Sequence, residues 1–146
     1  MYPKRFIQYL NLPQIPQHLI DELPQSMQDY DHKVVYKSYR WTDDLNQEID
    51  QWCKQHICPD MYFAFQFMEG DLEPHQDRGT LTKINYLIST GGADVITRFH
   101  EEDQVVAEYR IEPQRWHLLK ADTVHSVSGV EPGLLRWSVT GRVFGQ

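Results

Sequence analysis

The sequence predicts an α+β, mainly β fold: a sandwich or jelly-roll core over residues 61–146, with a helical region over residues 1–60 packed outside it. Two observations predict it. From residue 61 onward the chain breaks into short runs rich in aromatic and β-branched residues, separated by turn signals such as Glu69-Gly70-Asp71, Thr90-Gly91-Gly92 and Glu131-Pro132-Gly133. Before residue 61 the apolar residues recur at helical spacing instead.

Residues 12–23 read as a Pro-punctuated approach to a short helix, with Pro16 in its first turn and Pro24 ending it. A second helix is expected over residues 42–56, capped by Thr42 or Asp43, with Leu45, Ile49, Trp52 and Cys53 on one face. Strands are then expected over residues 62–67, 81–89, 94–100, 105–111, 116–120, 125–128 and 134–144. About seven short strands in this stretch point to a sandwich or jelly-roll barrel. Helices first and strands after place the helices on the outside of one sheet. The lip of any site is expected from those helices and from the loops at 69–73 and 101–104.

Composition narrows the function. The chain has 146 residues, 40% hydrophobic and 12% aromatic, which suits one globular domain. Its formal charge is −7, and no Lys/Arg run exceeds Lys4-Arg5, so the basic footprint of a nucleic-acid binder is missing. No apolar run is long enough to span a bilayer, and residues 1–10 lack a signal-peptide core, so a cytoplasmic location without membrane association is expected. Cys53 and Cys58 are expected as reduced thiols, since two cysteines make no disulfide framework.

The chemistry is carried by three spacings. His75 and Asp77 lie two apart, so in extended chain an imidazole and a carboxylate share one face. His125 follows several strands later and could return to that pair. Two histidines and one carboxylate leave open positions on a metal, the arrangement of non-haem Fe(II) oxygenases. Arg136, Ser138 and Thr140 would share the interior face of the last strand, while Trp137, Val139 and Gly141 face away. A buried guanidinium needs an anionic partner, and a 2-oxo diacid would supply one with help from the Ser138 hydroxyl.

These residues resemble the Fe(II)/2-oxoglutarate-dependent oxygenases of the double-stranded β-helix fold. His75-Gln76-Asp77, His125 and Arg136-Trp137-Ser138 match the family's HxD, distal His and RxS in order. Tyr86-Leu87, Gly91-Gly92 and Thr97-Arg98-Phe99 look like a stretch of the prolyl-hydroxylase-like branch. The chain departs from collagen-type enzymes in carrying Arg136 where they usually carry Lys, and in a longer spacing before Phe99. The resemblance implies His75, Asp77 and His125 as Fe(II) ligands, and Arg136 and Ser138 as the site for the distal carboxylate of 2-oxoglutarate. It further implies Tyr86 as a phenol donor to that carboxylate. The implied reaction uses O2 to convert 2-oxoglutarate to succinate and CO2 while hydroxylating a C–H bond of a protein, peptide or small-molecule substrate. Phe65, Phe67 and Trp116 are expected to wall the site from water.

Other readings stay open at this point: another cupin-like metalloenzyme without 2-oxoglutarate, or a non-catalytic β-sandwich binding module. In a regular strand only one of Asn85 and Tyr86 faces the pocket. His18, His32, His56, His100 and His117 have no partner at ligand spacing and are assigned no role, with His117 expected as a satisfied structural histidine. Arg78 and Arg98 are expected as solvated strand-end residues, and Glu101-Glu102-Asp103 as a hairpin tip.

Overall fold

The computed structural model describes residues 5–43, 45–77 and 79–142. Within them the chain forms β1 (Ile7–Tyr9), α1 (Gln17–Asp21), β2 (Val34–Tyr36), β3 (Tyr39–Thr42) and α2 (Gln47–His56). There follow β4 (Tyr62–Met68), β5 (Leu72–His75), β6 (Lys83–Thr90), β7 (Ile96–Glu101), β8 (Gln104–Tyr109), β9 (Trp116–Leu119), β10 (Val124–Ser128) and β11 (Arg136–Arg142).

Two antiparallel sheets result. The larger runs β1-β9-β6-β11-β4-β3-β2 and the smaller β5-β10-β7-β8. From β4 to β11 the chain passes back and forth between them, so most neighbours among these strands, such as β4 and β11 or β5 and β10, are distant in sequence.

The centre of the larger sheet is buried on both faces, which explains why β4 is an almost unbroken apolar run. On one face Phe63, Phe65, Phe67, Tyr86, Trp137 and Val139 pack with Ile20 of α1 and with Ile49 and Cys53 of α2. That helix is amphipathic as its spacing requires, with Ile49 and Cys53 fully inside. The other face turns toward the smaller sheet and presents Gln66, Lys83, Asn85, His117, Arg136 and Ser138 to a cavity.

Several expectations need correction. The first sixty residues are not purely helical, because β1, β2 and β3 extend the larger sheet at its two ends. The hairpin β2–β3 turns at Lys37-Ser38, with Lys37 at φ 52, a turn without Gly or Asn. Thr42 does not cap the second helix; it closes β3, and its hydroxyl donates to Asp31 O at 2.5 Å. Asn46 caps instead, its side chain accepting from Glu48 N (2.8 Å) and Ile49 N (3.3 Å), so α2 starts four residues after Asp43. β5 was not foreseen as a strand because it carries Pro74, which an edge strand tolerates. Glu102 and Asp103 do form the β7–β8 turn, both at positive φ. Val143 and Phe144, expected in the last strand, and Arg78 lie outside the described residues. Among the described residues no helix is long and apolar enough to cross a membrane.

Candidate metal centre

His75 and His125 face each other across the antiparallel pair β5–β10, where they are direct register partners. Their rings stand 4.3 Å apart between centroids. Asp77 follows His75 by two residues in extended chain, so its carboxylate returns to the same side. The segment is strapped in place: Asp77 N donates to Ala121 O (3.1 Å) and Gln76 Nε2 to Asp122 O (2.8 Å). Both acceptors lie in the loop leading to His125, so the two ligand-bearing segments are stitched together before any ion arrives.

His75, Asp77 and His125 form a cluster whose ligand atoms lie within 4.8 Å of one another, and this cluster could hold a metal ion. The Asp77 Oδ1 atom is 3.4 Å from His75 Nε2 and 3.7 Å from His125 Nε2. With metal–ligand bonds of about 2.0–2.2 Å, neighbouring ligand atoms on an octahedron stand roughly 3 Å apart, so a small closure would suffice.

The hydrogen bonds behind the ligands fit the same purpose. His75 Nδ1 donates to Glu73 O (2.8 Å) and His125 Nδ1 donates to Thr123 O (2.7 Å). A carbonyl only accepts, so both rings carry their proton on Nδ1 and turn Nε2 toward Asp77. Burial, and after it the charge of Lys83, pushes the His125 imidazole down to about 4, keeping it neutral near pH 7. Burial of Asp77 works to raise its carboxyl, but the Lys83 ammonium beside it outweighs burial and holds the group well below the usual carboxylate range. His125 Nε2 therefore offers a lone pair to an ionised carboxylate, a juxtaposition that a cation between them relieves.

The cluster opens on a cavity of about 360 Å³ between the sheets. Arg136 and Ser138 line it, both buried. The Arg136 guanidinium donates to Thr90 O (3.1 Å) and reaches Thr97 Oγ1 of the smaller sheet at 3.5 Å. No carboxylate among the described residues pairs with it, and burial alone lowers it to about 10. Gly91 packs so tightly here that a Cβ on it would stand 2.9 Å from Arg136 Cβ.

Other expected residues lie elsewhere. Tyr86 is not at the cavity: it faces the helices and packs 5.1 Å from Trp116 between ring centroids, because Lys83, Asn85 and Leu87 take the inward positions of β6. Asn85 lines the pocket and Tyr86 does not. Phe65, Phe67 and Trp116 also lie on the helix side, so the apolar walls are Met68, Leu72, Leu87, Ile111, Leu119 and Val127. The helices stand behind the larger sheet, and Val34 and Tyr36 of the β2–β3 hairpin border the cavity in their place. Tyr36 and Lys37 hold that hairpin to Glu73, at 2.7 and 2.8 Å. Arg98 pairs with Glu108 (3.6 Å), away from the cavity.

His117 is the clearest revision. It lines the cavity, is 1% exposed, and its Nδ1 finds no hydrogen-bond partner among the described residues. Burial, and after it Arg136, pushes its imidazole down to about 3. Sequence reasoning also missed Lys83, whose Nζ lies 2.8 Å from Asp77 Oδ2. A lysine at the head of the apolar run Ile84 to Ile88 was the available signal, since a charge on such a strand needs a buried partner.

No protein-family profile matches the chain, and no curated protein matches it. Twenty chains among the solved structures match. One of them, described as the structure of KdgF from Halomonas sp., is 15% identical over 80% of this chain and 92% of that one, with a TM-score of 0.45. A likeness of that size carries no functional argument.

Proposed function

We propose that the chain is an Fe(II)- and 2-oxoglutarate-dependent dioxygenase, a single-domain double-stranded β-helix that hydroxylates a C–H bond of a protein or peptide side chain. The observation that carries this reading is Arg136: a buried guanidinium without a carboxylate partner among the described residues, in the same cavity as a His-Asp-His cluster. A buried cation in that state calls for an anionic ligand. The distal carboxylate of 2-oxoglutarate fits it, with the Ser138 hydroxyl beside it. The order β9-β6-β11-β4 facing β5-β10-β7-β8 supports the double-stranded β-helix. The peptide substrate rests on the resemblance to the prolyl-hydroxylase-like branch.

His75, Asp77 and His125 would hold the ion. When bound, Fe(II) with 2-oxoglutarate and O2 supplies oxidative decarboxylation to succinate and CO2 coupled to hydroxylation. The chain's own residues position and exclude. Arg136, Ser138 and Thr97 fix one end of the co-substrate, and a fixed end turns an encounter into a held geometry. The carbonyls of Glu73 and Thr123 keep both imidazoles turned to the ligand side. Leu72, Leu87, Leu119 and Val127 keep water from the cavity.

The test is anaerobic addition of Fe(II) and then 2-oxoglutarate, with the weak visible charge-transfer band of a chelated 2-oxo acid as readout. The band is expected in the wild type, lost in His125→Ala and weakened in Arg136→Met. An iron-loaded wild type without the band would sink the proposal.

A further inference from the structure

Lys83 opens β6 with its side chain on the cavity face and is 7% exposed. Its ammonium bonds Asp77 Oδ2 at 2.8 Å, while Asp77 Oδ1 faces the two Nε2 atoms. One carboxylate thus has a separate task for each oxygen. Without an ion, Asp77 and Lys83 form a buried pair that neutralises itself. An ion on Oδ1 claims the same negative charge, and Lys83 is then a buried cation one carboxylate away from a dication. Such a group needs a new anion.

Arg136 is the second buried cation of the cavity and pairs with no carboxylate of the described residues. Both line the cavity, at opposite ends of the β6–β11 pair: Arg136 faces Thr90, while Lys83 precedes Ile84, which faces Gly141. Among the described residues that line the cavity, Asp77 is the one acidic residue. Once an ion claims it, the buried charges near the site are positive in excess, and an acid with two carboxylates is their complement.

Building on the metal and 2-oxo-acid reading above, we infer that Lys83 is a second anion-binding residue, which takes the carboxylate next to the oxo group while Arg136 takes the distal one. The metal and the acid bind as a unit because the acid supplies Lys83 with the charge that the ion withdraws. The two cations divide the ligand between them, so their removal has different signatures.

The experiment titrates Mn(II), which is redox-silent here, into the full chain with and without 2-oxoglutarate or 2-oxobutyrate. The latter keeps the carboxylate beside the oxo group and lacks the distal one. Calorimetry reads each affinity for the wild type, Lys83→Met, Lys83→Gln and Lys83→Arg. In Lys83→Met and Lys83→Gln, Mn(II) alone is expected to bind at least as tightly as in the wild type. Both acids should weaken tenfold or more, by similar factors, and Lys83→Arg should restore most of the loss. Arg136→Met should weaken 2-oxoglutarate alone.

Weaker Mn(II) binding in Lys83→Met without acid would make Lys83 a holder of Asp77 and overturn the inference. Unchanged affinity for both acids would overturn it as well, while leaving the proposed function standing. Failure of both neutral variants to fold would also overturn it, because the pair with Asp77 would then be structural. A wild type that binds no Mn(II) overturns both readings.

Discussion

Replacing Arg136 with Met should make the metal-free protein more stable and deprive it of its response to 2-oxoglutarate. The magnitude follows from burial. The guanidinium falls from its ordinary 12.5 to about 10 with desolvation as the sole cause. At about 1.36 kcal/mol per pH unit, this is roughly 3 kcal/mol by which the folded chain opposes the charge. The sign is fixed: at any pH below 10 the group is charged in both states, and the folded state binds its proton less tightly, so the cost is present in full at neutral pH. Met removes that cost and the bond to Thr90 O, worth about 1 kcal/mol. A net gain of about 2 kcal/mol remains, which raises Tm by roughly 4–8 °C for a chain of this size. Melting of the Mn(II)-loaded wild type should in addition rise with 2-oxoglutarate, by about 2.7 kcal/mol of stabilisation at a hundredfold excess over Kd. The variant should not respond. A metal-free Arg136→Met that melts below the wild type, or one that keeps the response, would refute the reasoning and make Arg136 a structural residue.

Two further outcomes follow from the cavity. Gly91→Ala puts a Cβ 2.9 Å from Arg136 Cβ and 3.0 Å from Arg136 N at a φ of +83°, so chemical denaturation should show a loss of about 2–4 kcal/mol and calorimetry a weaker 2-oxoglutarate site; unchanged values would mean that the turn relaxes freely. In the metal-free chain, His117 and His125 are pushed down to about 3 and about 4, from 6.5. Both are neutral in both states above 6.5, where their contribution is complete; below it the unfolded chain takes up protons that the folded one refuses. Stability should therefore fall as pH drops from 6.5, by up to about 2.7 kcal/mol per pH unit for the two together, levelling below 4 for His125 and below 3 for His117. Urea melts of His117→Gln should show about half that slope, and an unchanged slope would remove His117 from the account.

The ligand cluster was legible because it depends on period 2 and on order. His75 and Asp77 share a side in any extended chain, and His125 had to return to them if the strands between paired. Which face of each strand met the cavity was legible only where one residue had an unambiguous side. In β11 the alternation of Arg136, Ser138 and Thr140 with Trp137 and Val139 separates polar from apolar, and the structure has Arg136 and Ser138 at the cavity and Trp137 and Val139 beneath the helices. In β4 and β6 both faces are buried, so Phe65, Phe67 and Tyr86 could not be assigned a side from hydrophobicity. The β2–β3 hairpin was hidden for another reason: its strands have three and four residues, and Lys37 takes positive φ without a side chain that advertises it.

The cavity's charge runs against that of the whole chain. The chain carries −7, yet among the described residues the charged groups lining the cavity are Lys83 and Arg136, both buried, with the partly buried Arg142, against Asp77. Surface charge beyond about 8 Å is screened at physiological ionic strength, whereas buried charges are screened far less. Net charge therefore slows the approach of an anion only weakly, and on the proposed reading its selection would be decided inside by two cations on β6 and β11. These strands are neighbours in the larger sheet, paired from Ile84 to Thr90. A rigid sheet fixes the span between the two cations more firmly than loops would, so ligand length becomes a selected property. On the proposed reading, an acid with one carboxylate would leave Arg136 buried and uncompensated, and that cost, rather than any gain at the metal, would separate 2-oxoglutarate from its shorter relatives.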